Sequence, residues 1–376
     1  MRLSATMIVR DEERVLARCL SSIRDLVDEI VVVDTGSTDD SVAIARSFGA
    51  VVVEDPWRDD FAAHRNHALS LATGDWILYI DADEHLVEGD RALLEAAWRA
   101  HPDSLCLLLL LRGHSGFTPY REHRLWRNGL GIRFEGAIHE EVCSDIEALV
   151  DAGVGTRDTV DLVLDHDGYE GDQMAKHRRN LPLLRKEVER IPDRVFLWFH
   201  MGLILRDLGD RPGAVDAWRR GAAAARRQGP GGSVALCHQL LIEDAALHGD
   251  PFEDLLAEAE ELFEDNVLVD MSGLAAMGAV SDFAGLEMYA TRLVEADRPR
   301  IAALGITVHE LVITQWAHAA RARARLALGD PVGAREDLLR ALESGPENLE
   351  YRVLLHATER LLDQDRPSRA ASAATA

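Results

Sequence analysis

The chain has 376 residues with 41 basic and 65 acidic side chains, a formal net charge of −24. That excess of carboxylates argues against a nucleic-acid-binding surface, and the length is that of two domains, each with its own core. Cys19, Cys106, Cys143 and Cys237 show no paired spacing, and Met1-Arg2-Leu3-Ser4 leads straight into a strand signal, so a reducing, cytoplasmic setting is expected.

Leu3 to Val9 reads as a short apolar strand, and Val15, Leu16, Cys19, Leu20, Ile23 and Leu26 then recur at helical spacing. Glu29 to Val33 is a β-branched run ending on Asp34. Ser37 and Asp40 are patterned as a helix N-cap pair; the helix they open closes at Gly49, before a third strand from Ala50 to Val53. This βαβαβ order predicts parallel strands with right-handed crossovers, and ligands in such sheets sit at the carboxyl ends of strands, where Asp34 falls. The next strand, Trp76 to Ile80, delivers Asp81-Ala82-Asp83-Glu84. Two carboxylates two positions apart share a face where extended geometry persists, and they offer the oxygen ligands that Mg²⁺ or Mn²⁺ takes. Each feature also has an ordinary reading. Asp81-Ala82-Asp83 is a polar strand exit, Asp34 a turn former, and Arg65 an ion-pair partner for Asp59 or Asp60.

Leu105 to Leu111 is too short to cross a bilayer and reads as a central strand. Arg121-Glu122-His123-Arg124-Leu125-Trp126-Arg127 follows, then Phe134-Glu135-Gly136-Ala137-Ile138-His139-Glu140-Glu141, then Asp165-His166-Asp167-Gly168-Tyr169 behind the β-rich stretch Val160 to Leu164. From residue 176 strand signals stop, and Ala, Leu, Arg and Glu dominate. Trp198, Gly202, Leu205, Gly209, Ala214 and Trp218 fall on the offsets of a tetratricopeptide repeat, and Gly329, Ala334, Leu338, Ala341 and Pro346 repeat the scheme. Gly209-Asp210, Gly249-Asp250 and Gly329-Asp330 suggest a degenerate forty-residue period. The Ala/Ser-rich tail 366–376 has the composition of a disordered segment. The expected organisation is an α/β domain over 1–175 and a helical repeat domain over 176–365.

Four strings taken together resemble family-2 glycosyltransferases of the GT-A fold: Met7 to Glu13, Val33-Asp34-Thr35-Gly36-Ser37-Thr38-Asp39, Ala63-His64-Arg65-Asn66-His67-Ala68, and Gly74-Asp75-Trp76 with Asp81-Ala82-Asp83-Glu84. The resemblance covers the first half of the chain. It implies a Rossmann-like mixed sheet, followed here by an all-α tetratricopeptide-like solenoid. It also implies a nucleotide-sugar donor, with Asp34 accepting a hydrogen bond from its base and Arg65 near base or diphosphate. Glu13 and Asp81 join the donor-binding set, Asp81 facing ribose or metal, with Asp83 as direct ligand of Mn²⁺ or Mg²⁺. Many relatives carry Asn where Asp11 stands, which puts a contact through that amide NH₂ in doubt.

The Glu-Gly-X-Ile-His-Glu string resembles a segment of a repeat-bearing subset, in the place where others hold the base of an inverting displacement. Glu140 is the candidate base, with Glu141 as its rival, and His139 either assists it or touches diphosphate; both glutamates also suit the positive end of a nearby helix. His166 is a candidate metal ligand or a histidine with a backbone partner, and Lys176 and Arg179 screen diphosphate or lie on a solvated helix face. The expected function is metal-dependent, inverting sugar transfer to a peptide, protein or glycan acceptor held by the repeats, which could also pair the chain with a second copy. The alternatives are transfer to a small metabolite or lipid-linked glycan, and a non-catalytic repeat scaffold. Gly153 and Gly155 lack the third glycine of a dinucleotide fingerprint.

Overall fold

The computed structural model describes residues 1–113, 116–166, 173–228, 232–296, 298, 301 and 307–364. Asp167, Gly168 and Tyr169 of the last motif, and the tail 366–376, lie outside the described residues. By backbone contacts the chain divides into two compact units, Met1–Asp210 and Arg211–Ala376. The division falls later than the change of composition at 176, so two long helices count with the sheet.

The first unit opens as the hydrophobic pattern dictates. Strand β1 (Leu3–Val9) is followed by helix α1 (Leu16–Ile23), β2 (Glu29–Asp34), α2 (Ser41–Ser47) and β3 (Val51–Glu54). Next come α3 (Phe61–Leu71), β4 (Trp76–Tyr79), β5 (Glu84–Glu88), α4 (Arg91–Ala100), β6 (Ser104–Arg112), β7 (Tyr120–Arg127), α5 (Cys143–Asp151) and β8 (Thr156–His166). Helices α6 (Gln173–Arg190) and α7 (Val195–Asp207) complete the unit. The sheet has eight strands in the order β3-β2-β1-β4-β7-β6-β8-β5. β3, β2, β1 and β4 run parallel, β7 joins β4 antiparallel, and β6 pairs with β8 in parallel. The sheet is therefore mixed, with β1 and β6 inside it. β1 is buried almost throughout because α1 covers it with Leu16, Cys19, Leu20 and Ile23.

One local expectation is corrected. Ser37 does not cap α2, which begins at Ser41 behind Asp40; the Ser37 N–H instead donates to Asp34, and its hydroxyl accepts from the Asp11 N–H at 3.0 Å. The loop after β2 thus closes against the loop after β1 before the helix starts.

The second unit is helical: α8 (Arg211–Gln228), a 3₁₀ turn at Gly232–Ala235, α9 (Leu236–His248), α10 (Glu253–Leu262), α11 (Val267–Val280) and α12 (Phe283–Val294). A π-helical stretch, Val312–Trp316, leads into α13 (Ala317–Leu328), α14 (Pro331–Ser344) and α15 (Leu349–Gln364). Gly249 and Gly329 end α9 and α13 in the left-handed conformation, and Asp330 then caps α14 by accepting from the Gly333 N–H. Between them the same turn is built from Ser281 and Asp282, with Ser281 at φ +59°. The forty-residue period is accordingly irregular. Ala334, Leu338 and Ala341, the repeat-like positions of α14, are fully buried.

Candidate active site

The carboxyl ends of β1 and β2 are joined by side chains acting on backbone. Asp34 closes β2 and is buried; its Oδ2 accepts from the N–H groups of Gly36 at 3.0 Å and Ser37 at 3.1 Å, while Oδ1 has a 3.4 Å contact. The turn-forming reading of Asp34 is thus realised, with one oxygen lightly used. Asp11 sits at φ +55°, and its Oδ1 accepts from the Thr38 N–H at 2.7 Å and hydroxyl at 3.1 Å. Both contacts need only an acceptor oxygen, which Asp supplies without an amide NH₂. Glu13 accepts from the Asp40 N–H at 3.0 Å and lies at the entry to α2.

The chain turns straight after Ile80, so extended geometry does not carry Asp81 and Asp83 along one face as the alternation rule requires. They enter different networks. Asp81 accepts from Arg65 at 2.9 Å and from the Tyr79 hydroxyl at 3.1 Å, with Arg124 at 3.8 Å. Burial raises its carboxyl, but Arg65 and Arg124 outweigh burial and hold it below the ordinary range. Glu84 accepts the Asp81 N–H at 2.9 Å and the Arg124 guanidinium at 2.7 Å. Burial pushes Glu84 up to about 7; Arg124 opposes the shift and Asp81 adds to it. The Tyr79 ring lies between two guanidiniums, Arg65 at 4.4 Å and Arg124 at 4.1 Å from its centroid.

Arg65 also forms a short ion pair with Glu140, so a single buried guanidinium bridges the carboxylate after β4 and the candidate base. Its partners are neither Asp59 nor Asp60. Asp60 caps α3 by accepting from the Ala63 N–H, which orients the helix that presents Arg65.

The loop that carries Glu140 is fixed at several points. Asn66 pins the Phe134 backbone on both sides, donating to its C=O at 2.8 Å and accepting from its N–H at 2.9 Å. The Phe61 N–H donates to the Ala137 C=O, and Glu135 and Glu141 pair as an isolated antiparallel bridge. Gly136 turns at φ +108°, where a Cβ would meet the Ile138 C=O at 3.3 Å. His139 is at φ +51°; its ring stacks on His200 at 4.0 Å and meets Phe196 edge-on, while Arg194 donates to its C=O at 2.7 Å. Burial, with Arg194 adding to it, pushes its imidazole down to about 4. His139 therefore anchors the loop to α7 as a neutral ring. Glu141 accepts from the Ser144 N–H and hydroxyl at 3.1 and 2.7 Å, serving the start of α5. Glu141 thus accepts from the first turn of α5, while Glu140 pairs with Arg65.

Asp83 meets His166, from the end of β8, at 3.3 Å, and this hydrogen bond raises the imidazole pKa against the opposing effect of burial. Glu12, in the loop after β1, is pushed up to about 7 by burial, with Asp83 and Asp81 adding and Lys176 opposing. On α6, Arg179 lies 5.5 Å from the Phe61 ring, and burial together with the charge of Arg10 lowers its pKa. Among the described residues no group of three or more His, Cys, Asp or Glu side chains is gathered as a self-sufficient metal cage. The Asp83 carboxylate is an oxygen ligand of the kind that Mn²⁺ or Mg²⁺ takes alongside substrate phosphate and water, while His166, 3.3 Å away and with its pKa raised by Asp83, could join it only in the neutral form.

Arg124, Tyr79 and Arg194 were not anticipated as site residues. Arg124 carried a signal: a charge directly before the apolar Leu125 and Trp126, in a strand next to a central one, needs a partner where the strand is buried. Arg194 carried none, because its partner is a backbone carbonyl 55 residues away.

Residues 4–154 match the Glycosyl transferase family 2 model. A TPR repeat-containing protein of Synechococcus elongatus is 36% identical over 256 residues, 64% of this chain and 62% of its own. The SPbeta prophage-derived glycosyltransferase SunS of Bacillus subtilis is 28% identical over 218 residues, 56% of this chain and 50% of SunS. The chain thus spans less than two thirds of either relative. The solved structure of S. aureus TarS in complex with UDP-GlcNAc aligns over 78% of this chain and 90% of its own, at 15% identity and a TM-score of 0.39. Glucosyl-3-phosphoglycerate synthase from Mycobacterium tuberculosis, in complex with Mn²⁺, UDP and phosphoglyceric acid, aligns over 46% and 73%, at 19% identity and a TM-score of 0.35. The stretch that matches the glycosyl transferase family 2 model, residues 4–154, is the one that holds the carboxylates and Arg65.

Proposed function

We propose that the chain transfers a sugar from a nucleotide-sugar to an acceptor with inversion, using a divalent cation and Glu140 as base. The observation that carries the reading is a surplus of carboxylate over guanidinium around the end of β4. Among the described residues, Asp81, Glu84 and Glu140 pair with Arg65 or Arg124, Asp83 meets His166, Lys176 acts on Glu12, and Glu12 and Glu84 are both pushed up to about 7. A divalent cation relieves such a surplus. Asp83 and His166 would hold it, and it would supply Lewis-acid charge to the diphosphate leaving group. Lys176 and Arg179 add charge for the diphosphate, Asp34 offers its lightly used oxygen to the base, and Glu13 braces the loop behind it. Glu140, fixed by its neighbours, takes the acceptor proton. The helical repeats are the part that would hold a peptide, protein or glycan acceptor. A reducing cytoplasmic site suits the four free thiols.

The test is a screen of UDP-, GDP- and dTDP-sugars with and without Mn²⁺, read by thermal stabilisation and donor hydrolysis. A ligand at a hundred times its Kd adds about 2.7 kcal/mol, a visible rise in Tm. Stabilisation by at least one donor, dependent on Mn²⁺, is expected. Equal stabilisation in EDTA removes the cation from the reading, and none at all overturns it. With the acceptor in hand, Glu140→Gln should lose roughly two to four orders of magnitude in transfer.

A further inference from the structure

One face of α15 builds the helical array. Tyr351 and Thr358 are buried, and Leu354 and Leu355 join the cluster formed by Leu338, Ala341 and their neighbours. The opposite face carries Leu349, Val353, Ala357 and Leu361, each four residues from the next, so they form one continuous ridge along the helix. All four are exposed, Leu349 to 72%, Val353 to 61% and Leu361 to 49%. The outer helix of a repeat array ordinarily turns a polar face to water, because an apolar one leaves open the surface that inner repeats bury against a neighbour.

The charges on this face are few and placed in a pattern. At about 100° per residue, Glu350 and Arg360 fall within the ridge, while Arg352, His356, Glu359 and Asp363 fall to its flanks. Glu359 is taken by Arg335 at 3.2 Å. Reversing the helix about Leu355 exchanges Leu349 with Leu361, Val353 with Ala357, and Glu350 with Arg360. The face is therefore complementary to itself. A second α15 laid antiparallel across the first sets apolar side chains against apolar ones and opposes Glu350 to Arg360 twice, the isologous pattern of a two-fold axis. The chain's formal charge of −24 opposes the approach of two copies, so attraction has to be built into the contact itself.

We propose that α15 is a homodimerisation helix: its exposed ridge packs antiparallel on that of a second copy about a two-fold axis at Leu355, with Glu350 and Arg360 paired across it. Ridges of i±4 spacing interlock at a crossing angle of about −50°, which centres the contact on Val353 and Ala357. Glu350 holds Arg323 of its own chain through one oxygen and is 66% exposed, so its second oxygen is open to Arg360 of the other copy. A pair of sixteen-residue helices gives a contact about 24 Å long, at the small end of interfaces. The dimer is therefore weak and forms as concentration rises. It uses only the second unit and stands apart from the transferase reading.

The experiment is sedimentation velocity on the full chain from micromolar to near-millimolar concentration, repeated with Val353→Glu, Glu350→Arg, Arg360→Glu and the Glu350→Arg/Arg360→Glu double variant. All three positions are exposed, so far-UV circular dichroism and Tm should match the parent. Arg360→Glu and Val353→Glu leave the Glu350–Arg323 pair intact and carry the test if Glu350→Arg disturbs the fold. The parent should show a monomer–dimer equilibrium, and Val353→Glu none. Either single charge swap should raise the dimer Kd roughly tenfold, the order of two attractive pairs made repulsive, and the double variant should largely restore it. A parent that stays monomeric throughout overturns the proposal and leaves the ridge to a partner of another kind. A dimer indifferent to Val353→Glu overturns it by placing the interface elsewhere. A double variant that folds as the parent does and dimerises as poorly as Arg360→Glu overturns the antiparallel pairing.

Discussion

Asp83→Asn keeps the shape of the side chain and removes the charge that would hold a cation beside His166. Donor turnover should lose its response to Mn²⁺ while the unfolding transition stays within a degree or two of the parent. Retained Mn²⁺-dependent hydrolysis by this variant would falsify the role of Asp83. Glu12 supports a prediction about pH. Its folded pKa is raised from 4.5 to about 7, mainly by burial, so between those values the folded protein binds a proton that the unfolded chain has released. The resulting stability is fully present below about 4.5 and is lost as pH rises through 7. Glu12→Gln should therefore match the parent near pH 4.5 and exceed it above pH 7, in metal-free buffer. Its partial exposure discounts the effect, so a difference on the order of 2 °C in Tm at pH 8 is expected. Equal Tm values across that range would mean the carboxylate is solvated after all. At this scale much was legible. Asp34, Asp81, Asp83, Arg65, Glu140 and His166 lie at strand ends or on the elements facing them, because the motifs carry them there. The pairings were not legible: Arg65 could be assigned a charge from sequence, but not the two carboxylates it bridges.

Elements give the loop from Phe134 to Ser144 its meaning. Glu141 serves the N-terminal turn of α5, and burial, which raises its carboxyl, is outweighed by the Ser144 hydrogen bonds that lower it. Glu141→Ala should cost about 1 kcal/mol, typical of a lost cap, and leave nucleotide binding unchanged. Denaturant unfolding and calorimetry together check this; a variant of full stability with impaired transfer would make Glu141 the base instead. The boundaries of β1 and β2 were legible from their apolar runs, since a strand buried on both faces admits little else. The start of α2 was misjudged because Ser37 and Asp40 fit a capping pattern that any turn of this composition also fits. Tertiary pairing with Asp11 claims Ser37 first.

The whole molecule divides after Asp210, and that decides where it can be cut. Helix α7 supplies Phe196 and His200 to His139, and Arg194 holds the same residue just before it. A chain ending before Val195 lacks Phe196 and His200, leaves His139 without its ring partners, and should lose stability and donor binding together. A chain ending at Asp210 should fold and still hydrolyse donor, while transfer to a large acceptor falls. Near-UV circular dichroism and donor hydrolysis on the two truncations distinguish them. Transfer that survives in the Asp210 form would leave the repeats without the acceptor role proposed for them.

By itself the sequence determined the opening order of strands and helices through β3, the strands that precede Asp81 and contain Leu105 to Leu111, and the delivery of Asp34 and Asp81 to strand ends. These follow from periodicity and from short motifs, which are local in the chain. Only the tertiary structure decided that Asp81 and Asp83 part company, that Glu141 caps while Glu140 pairs, and that α7 belongs with the sheet. Each of those outcomes depends on a partner brought in from far along the chain: Arg65 and Arg124 for Asp81, His166 for Asp83, and His139 for α7. Burial then fixes the pairing, because an ionised side chain removed from water must take whichever opposite charge the fold sets beside it.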